Sequence, residues 1–367
     1  MAGPYRRSRR WPWLVAALVL LSGGAWLMSR GERMPRPKEV QVTFPRHMSA
    51  SDRERLRQRR RPPILAVPEQ AEPGAVAQPA PPPRPRDPLL VAMPPTVDKV
   101  AMVVEANAIR HSPVGELLLD CFVGSPEDDE LGRLRSKTGL DVFEDLDRVA
   151  VTDDAIFVSG RFERANWTEL FPGMKEQTPG PSTRLWKREG KDGESALLWN
   201  DEMLVVSQKE AEVRAAADRL EGRAPPANSA IDEDDCYGEI YGVVASKAVA
   251  SLFENSSPDV AAKLGSITEQ VKLHVDATHD VGVVADARGN DAASALDLAK
   301  TLGGALALGR AAARAQGNDN LATFLDYASV HPSASGSFRV ELALPLDYLK
   351  TLLMDCPGRK ARSAGSK

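Results

Sequence analysis

The chain has 367 residues, of which 27% are charged and 5% aromatic, with a formal net charge of −4 at pH 7. That mild total hides two opposite parts: residues 1–95 hold 17 Lys or Arg against 7 Asp or Glu, a net of +10, and the rest holds 30 against 44, a net of −14. An acidic body argues against nucleic acid as its partner, and Cys121, Cys236 and Cys356 form no metal-type spacing.

Taken in chain order, residues 1–10 form a basic tail with Arg6, Arg7, Arg9 and Arg10. Trp11 to Met28, WPWLVAALVLLSGGAWLM, contains no formal charge. As a helix it would reach roughly 27 Å, close to the thickness of a hydrocarbon core. Trp11, Trp13 and Trp26 stand near its ends, where indole rings favour the lipid–water boundary. The run reads as a transmembrane anchor over 11–28, and the rival reading is a cleavable signal peptide ending near Gly23-Gly24-Ala25. Basic residues flank both ends, so direction rests on the small Arg-rich tail, which is hard to translocate. The expectation is a cytoplasmic tail 1–10 with the bulk of the chain outside.

Residues 29–95 form a tether that is first basic and then proline-rich, and is expected to be disordered. DRERLRQRRR, residues 52–61, is charged on every face as a helix, with Leu56 as its one large apolar residue. Of residues 62–95, 12 are proline, which favours an extended, semi-rigid spacer. Its basic part is a candidate for anionic lipid headgroups.

From Asp98 the pattern changes to short β runs alternating with amphipathic helical ones. The order predicts two pseudo-repeated α+β halves, 96–225 and 226–358, followed by a polar, disordered tail at 359–367. Each half runs strand, helix, hairpin, helix, with a mainly antiparallel sheet. In the first half, Lys99 to Ala108 is the strand, Ser112-Pro113 caps a helix through Phe122, and Ser195 to Trp199 pairs with Met203 to Ser207. Ser207 and Glu210 then form a capping box for a helix ended by Gly222. In the second half, Tyr237 to Ala245 is the strand, and Ser246 caps the next helix. Val271 to Ala277 pairs with Val281 to Ala287, and Asn290 caps the last helix. Further hairpins fall at Arg148 to Phe162 and Ser329 to Leu344. The Ala- and Leu-rich run Asp291 to Gln316 is interrupted by Asp297, Lys300, Arg310 and Arg314, so it is not a second span; its Gly303, Gly304 and Gly309 predict close packing on a sheet.

HSPVGELL, GLDVFEDLDRVAV and LLWNDEMLVVSQKEAEVRAAADRLEG resemble segments of uncharacterised bacterial envelope proteins of myxobacterial type. The resemblance implies an amino-terminal anchor, a Pro-rich linker and a duplicated α+β ectodomain, and it carries no activity or site residue. With the anchor, it places the chain in the bacterial inner membrane as a single-pass protein, its carboxy-terminal domain periplasmic.

The chain lacks a nucleophile elbow, a phosphate loop, an HExxH helix and a dinucleotide fingerprint. No catalytic, cofactor or metal residues are assigned, and no cofactor is expected. Several weak candidates remain, each with a plainer explanation. His274, Asp276, His279 and Asp280 gather around one strand and turn, but Lys272 shares their face and would repel a cation. His111-Ser112 is explained by helix capping, and His331-Pro332 by a strand end. The acidic groups at 127–130, 141–147 and 232–235 lack the pattern of a calcium loop. Trp167, Trp186 and Trp199 would mark a groove if exposed together, and otherwise belong to a core. Cys236 with Cys356 is a conceivable disulfide, and Cys121 reads as a small buried hydrophobe. The reading is a non-enzymatic, membrane-anchored envelope protein whose ectodomain is a binding or assembly module for an envelope partner. The alternatives are a wall- or polysaccharide-acting hydrolase or transferase with an unrecognised carboxylate site, and an anchored sensor.

Overall fold

In the computed structural model, the described residues are 87–122, 126–188, 193–224, 229–251, 254, 258–289, 291–333 and 336–353. The run 11–28, most of the tether and the tail 359–367 lie outside them. No helix among the described residues is long and apolar enough to cross a membrane.

The fold is α+β, with one twelve-stranded sheet in which every pairing is antiparallel. The chain begins with α1 (Pro88–Ala92), β1 (Val100–Val104), α2 (Ala106–Arg110), α3 (Pro113–Phe122), α4 (Pro126–Thr138) and α5 (Val142–Asp145). Then come β2 (Leu146–Thr152), β3 (Ala155–Gly160), α6 (Trp167–Leu170), β4 (Lys175–Gly180), β5 (Thr183–Lys187), β6 (Ser195–Trp199), β7 (Met203–Ser207) and α7 (Glu210–Leu220). The later part holds β8 (Ile240–Ala245), α8 (Ser246–Ser251), α9 (Pro258–Ile267), β9 (Thr268–Asp276), β10 (Val281–Gly289) and α10 (Ala292–Ala315). It closes with α11 (Asp319–Asp326), β11 (Ala328–Pro332), β12 (Ser337–Leu344) and α12 (Leu346–Leu352).

Across the sheet the order is β11-β12-β10-β9-β8-β1-β2-β3-β7-β6-β5-β4. Each half is therefore contiguous, and β8 against β1 is the seam between them. At this seam Gly242 stands opposite Met102. A Cβ on Gly242 would lie 2.1 Å from Ala101 O and 2.7 Å from Met102 Cα, so any side chain there must displace β1 itself.

The expected hairpins form at Arg148 to Phe162, Ser195 to Ser207, Val271 to Ala287 and Ser329 to Leu344. A further one, β4–β5, contributes the outermost strands of the first half. The sheet order does not confirm the matching of β6–β7 with β9–β10 expected from sequence. Hairpin β9–β10 lies beside the seam strand β8, whereas β2 and β3 separate β7 from β1.

Local caps also differ from expectation. Ser207 Oγ accepts from Lys209 N and donates to Asp154 O, while the Glu210 carboxylate pairs with Lys187 and Arg214, so the capping box does not form. Asp291, rather than Asn290, caps α10 by accepting from Ser294 N. Gly303 and Gly304 face open space, so the tight packing expected of them is absent, and a Cβ on Gly309 would meet only Leu325 Cδ1 at 3.5 Å.

Strand alternation sorts the core. On one face of the first half, Ala101, Val103, Ala150, Phe157, Val205, Leu197 and Leu185 are buried against α1 and α7. On the other face, Ala196, Leu198 and Leu204 meet Phe162, Trp167 and Trp186. That second face continues into the second half, where Val271, Ala287 and Phe338 lie under α8, α9 and α10.

The folded body reaches back to Asp87, inside the segment read as tether. Asp87 caps α1 through Leu89 N and pairs with Arg148 at 2.6 and 2.8 Å. Burial pulls against the Arg148 charge, but Asp87 outweighs it and holds the guanidinium protonated. At the other end of α1, Arg219 donates to Val91 O and Ala92 O. Between these two arginines Leu89, Leu90, Ala92 and Met93 are driven into the core.

Two stability outcomes follow from these contacts. Arg148→Ala leaves the buried Asp87 carboxylate without its cation, and should cost about 3–5 kcal/mol in urea unfolding, with coupling to Asp87→Asn in a double-mutant cycle; additive effects would contradict a shared pair. Gly242→Ala should cost about 2–4 kcal/mol by forcing β1 and β8 apart. A Gly242→Ala variant with unchanged unfolding midpoint would show the seam to be tolerant.

Candidate functional site

The seam changes what covers the first face. On the first half α1 and α7 close it; on the second half, among the described residues, the segment 229–239 reaches His274, Val284 beside it is buried, and Asp286, Arg339, Glu341 and His331 follow outward on β10, β12 and β11. Register explains the array, because Lys272, His274, Asp286, Arg339, Glu341, Ser329 and His331 all fall on one side of their strands.

At the covered end, Tyr237 lies flat on His274, with ring centroids 3.7 Å apart and planes 8° from parallel. Gly238 makes this approach possible: its φ is +85°, and a Cβ there would lie 2.5 Å from Val275 O. His274 is 1% exposed, and its Nδ1 meets Tyr237 O at 3.4 Å. A carbonyl only accepts, so Nδ1 is the nitrogen that carries the proton. Burial lowers the His274 pKa below 6.5, outweighing the upward pull of the Tyr237 carbonyl, Asp235 and Asp286. Burial also pushes the Tyr237 hydroxyl up to about 12, helped by Asp286 and Asp235. Lys272 ties the covering segment down through Asp235 at 2.5 Å and Asp232 at 4.0 Å.

At the open end, Arg339 grips Asp286 with two contacts of 2.7 and 3.1 Å, and this hydrogen bonding raises its pKa. Arg339 also faces Glu341 at 3.9 Å. His331 Nε2 lies 3.3 Å from Glu341 Oε2 and 2.8 Å from Ser329 Oγ. Serine, histidine and carboxylate are thus adjacent, but Ser329 and Glu341 meet the same ring nitrogen. A nucleophile relay needs the acid on the opposite nitrogen. The arrangement is a hydrogen-bonded charge ladder running β11, β12, β10.

The structure places the remaining sequence candidates in structural roles. Asp276 accepts from Thr278 N and Asp280 from Leu346 N, so the carboxylates near His274 and His279 hold backbone. No group of three His, Cys, Asp or Glu among the described residues is arranged to hold a metal ion. Ser112 Oγ accepts from Gly115 N, as the start of α3 requires. Trp167, Trp186 and Trp199 are 7, 3 and 8% exposed, which removes the groove. Trp167 and Trp186 stack at 5.2 Å with Arg184 over both rings, whereas Trp199 belongs to the core on the opposite face.

The cysteines reverse the expectation. Cys236 is buried with its Sγ 3.3 Å from Asp232 O and is in no disulfide, against the Cys236–Cys356 bond the sequence allowed. Cys121 is disulfide-bonded rather than an inert hydrophobe. The Arg339–Glu341–His331 ladder was missed in the sequence because its members come from two strands with no motif between them. The alternation of SFRVELAL was the available signal.

Comparison of the chain with protein-family models, curated proteins and solved structures returned no match.

Because the unfolded chain takes up a proton at His274 near pH 6.5 and the folded chain does so only at lower pH, stability should be lost as pH falls through that window. The urea midpoint should therefore drop between about pH 7.5 and about pH 5, and drop less in His274→Gln. Equal pH slopes in the two proteins would show that His274 is not held neutral by burial.

Proposed function

We propose that this chain is a single-pass envelope protein whose body is a non-enzymatic binding or assembly module held outside the membrane. Trp11 to Met28 is the anchor, the basic and proline-rich segment is the spacer, and its arginines associate with anionic headgroups. The observation that carries the binding role is the uneven cover of the sheet. One half is buried on both faces, while the other carries the exposed Arg339 and His331 on one face, held by Asp286 and Glu341. A platform of fixed charges suits recognition of a polar protein surface, where complementary charge gives specificity. The disulfide at Cys121 supports an oxidising location.

We also read the body as a diverged duplication, in a register that differs from the hairpin matching expected from sequence. Strand β1 with hairpins β2–β3 and β6–β7 corresponds to β8 with β9–β10 and β11–β12. What supports this is that in both halves the first hairpin lies beside the opening strand and the second lies beyond it.

A membrane-impermeant crosslinker applied to intact spheroplasts checks location and partner together. The full chain should give a discrete adduct with an envelope protein, and Arg339→Ala with His331→Ala should reduce its yield about tenfold, since one lost charged contact of 1.4 kcal/mol or so has that effect. Both side chains are substantially exposed, so folding should change little. No adduct above that of residues 1–95 alone, or an undiminished adduct in the double variant, would sink the binding role.

A further inference from the structure

One row of side chains crosses the second half towards its outer edge. Lys272 on β9 stands opposite Asp286 on β10, Asp286 opposite Arg339 on β12, and Arg339 opposite His331 on β11. With strands about 4.8 Å apart, the row is roughly 14 Å long. Its two ends differ in sign and in height. At the inner end the segment 229–239 lies over the sheet through the Tyr237 ring on His274, and it holds Asp232 4.0 Å from the Lys272 amine with the Asp232 side chain 68% exposed. Glu233 and Asp234, the next two residues of that segment, are exposed as well. At the outer end Arg339 and His331 rise from the sheet itself; the His331 side chain is 58% exposed, while Glu341, which holds it, lies deeper at 14%. Arg288 is also exposed, two residues along β10 from Asp286 on the same side, and so diagonal to Arg339.

We propose that this face docks on the same face of a second copy of the chain, across a two-fold axis parallel to the strands and through the middle of the row. The inference rests on the reading of the body as a binding or assembly module, and it names the partner. Such an axis reverses the row, so the Asp232 end of one copy falls on the Arg339 and His331 end of the other, and the contact is made twice. The difference in height fits the same operation. The covering segment of one copy takes the level above the sheet at the outer end of the other. An axis along the row would instead set Asp232 against Asp232 and Arg339 against Arg339, which like charge opposes.

Charge also selects this contact over a less specific one. Residues 96–367 hold 30 Lys or Arg against 44 Asp or Glu, so two copies repel at a distance. They meet where each brings cations to the other's carboxylates, and the two ends of this row do so together. The face is small: β11 has five residues and β10 nine, so it measures roughly 14 Å by about 20–30 Å, below the 800 Å² or so per partner of a standard interface. Association of free bodies is therefore weak. Bodies anchored in one membrane stand at a raised effective concentration, where a weak contact suffices.

The test uses the full chain in its own membrane, co-expressed in two differently tagged forms and treated in spheroplasts with a membrane-impermeant crosslinker. An adduct carrying both tags is expected. Arg288→Glu weakens the basic end of the row and Asp232→Arg reverses the acidic end, so each variant paired with itself should lower the two-tag adduct about tenfold, because the altered contact occurs twice. One variant under each tag should restore it to within about twofold of wild type, since acid again faces base. A mixture as weak as either variant alone, or a wild-type adduct no stronger than that of residues 1–95 alone, overturns the pairing. An adduct with a different envelope protein and none with a second copy sinks self-pairing while leaving the binding module standing; loss of every adduct sinks both. Both substituted side chains are exposed, so Tm should change little. Should a charge reversal lower Tm, the neutral variants Arg288→Ser and Asp232→Asn should each reduce the adduct about threefold, and an undiminished adduct in both overturns the proposal equally.

Discussion

Everything in this fold hangs from the pairing of β1 with β8. These strands lie far apart in the chain, yet each opens its half, and the remaining strands of each half extend outward from one side of the pair. The approach at Gly242 is so close that the neighbouring backbone occupies the place of a side chain. A seam made this way is set by backbone geometry, with little reliance on side-chain fit. It permits two halves with different covers to share a single continuous sheet, because register passes through the seam unbroken from Ala150 to Val103 to Tyr241 to His274.

The difference between the halves then comes from the elements laid on one face. On the first half that face is closed by α7 together with α1, a helix of five residues that could not persist alone. It is fixed because Asp87 and Arg148 meet at one end and Arg219 reaches its final carbonyls at the other. A buried ion pair contributes little net stability, but removing one partner is costly, so the arrangement that unites Asp87 with Arg148 is favoured over those that part them. On the second half, among the described residues, the 229–239 segment covers the face as far as His274. There the aromatic stack of Tyr237 and the Lys272 to Asp235 contact stop, and charge begins.

The outer edges are guarded in the way antiparallel sheets require. Pro179 lies in edge strand β4, whose residues are nearly all exposed and polar. Pro332 ends edge strand β11, and the Arg310 guanidinium donates to Ala328 O at its other end. Further growth of the sheet is thus opposed at both ends.

Much of this was legible in the residues. Period-two alternation located four hairpins, because apolar residues on strands covered by helices leave a strong pattern. Ser112 declared its cap and Gly222 its stop for the same local reason. What failed was anything decided by a distant partner. Ser207 and Glu210 have the spacing of a capping box, but Asp154 and Lys187, brought in by other strands, compete for them and win. The proline content around residues 81–95 suggested a spacer to its end, although the last turn of that stretch is core, recruited by Arg148 and Arg219. The order of the hairpins across the sheet could not be read because it leaves no trace in local pattern.

The open face shows the same dependence in its chemistry. Ser329, His331 and Glu341 are the residue types of a hydrolytic relay, and two of them are neighbours on one strand. On a strand, residues two apart point the same way and remain side by side. Ser329 therefore reaches the histidine from the same flank as Glu341 does from β12, and both compete for Nε2. A relay requires an approach from opposite edges of the ring, which residues on one flat face of adjacent strands do not supply. What this face does supply is charge in register, with Arg339 held between Asp286 and Glu341. Preorganised charge of that kind lowers the ordering cost of association. The same geometry that puts the serine and the carboxylate on one ring nitrogen leaves these three residues without a relay.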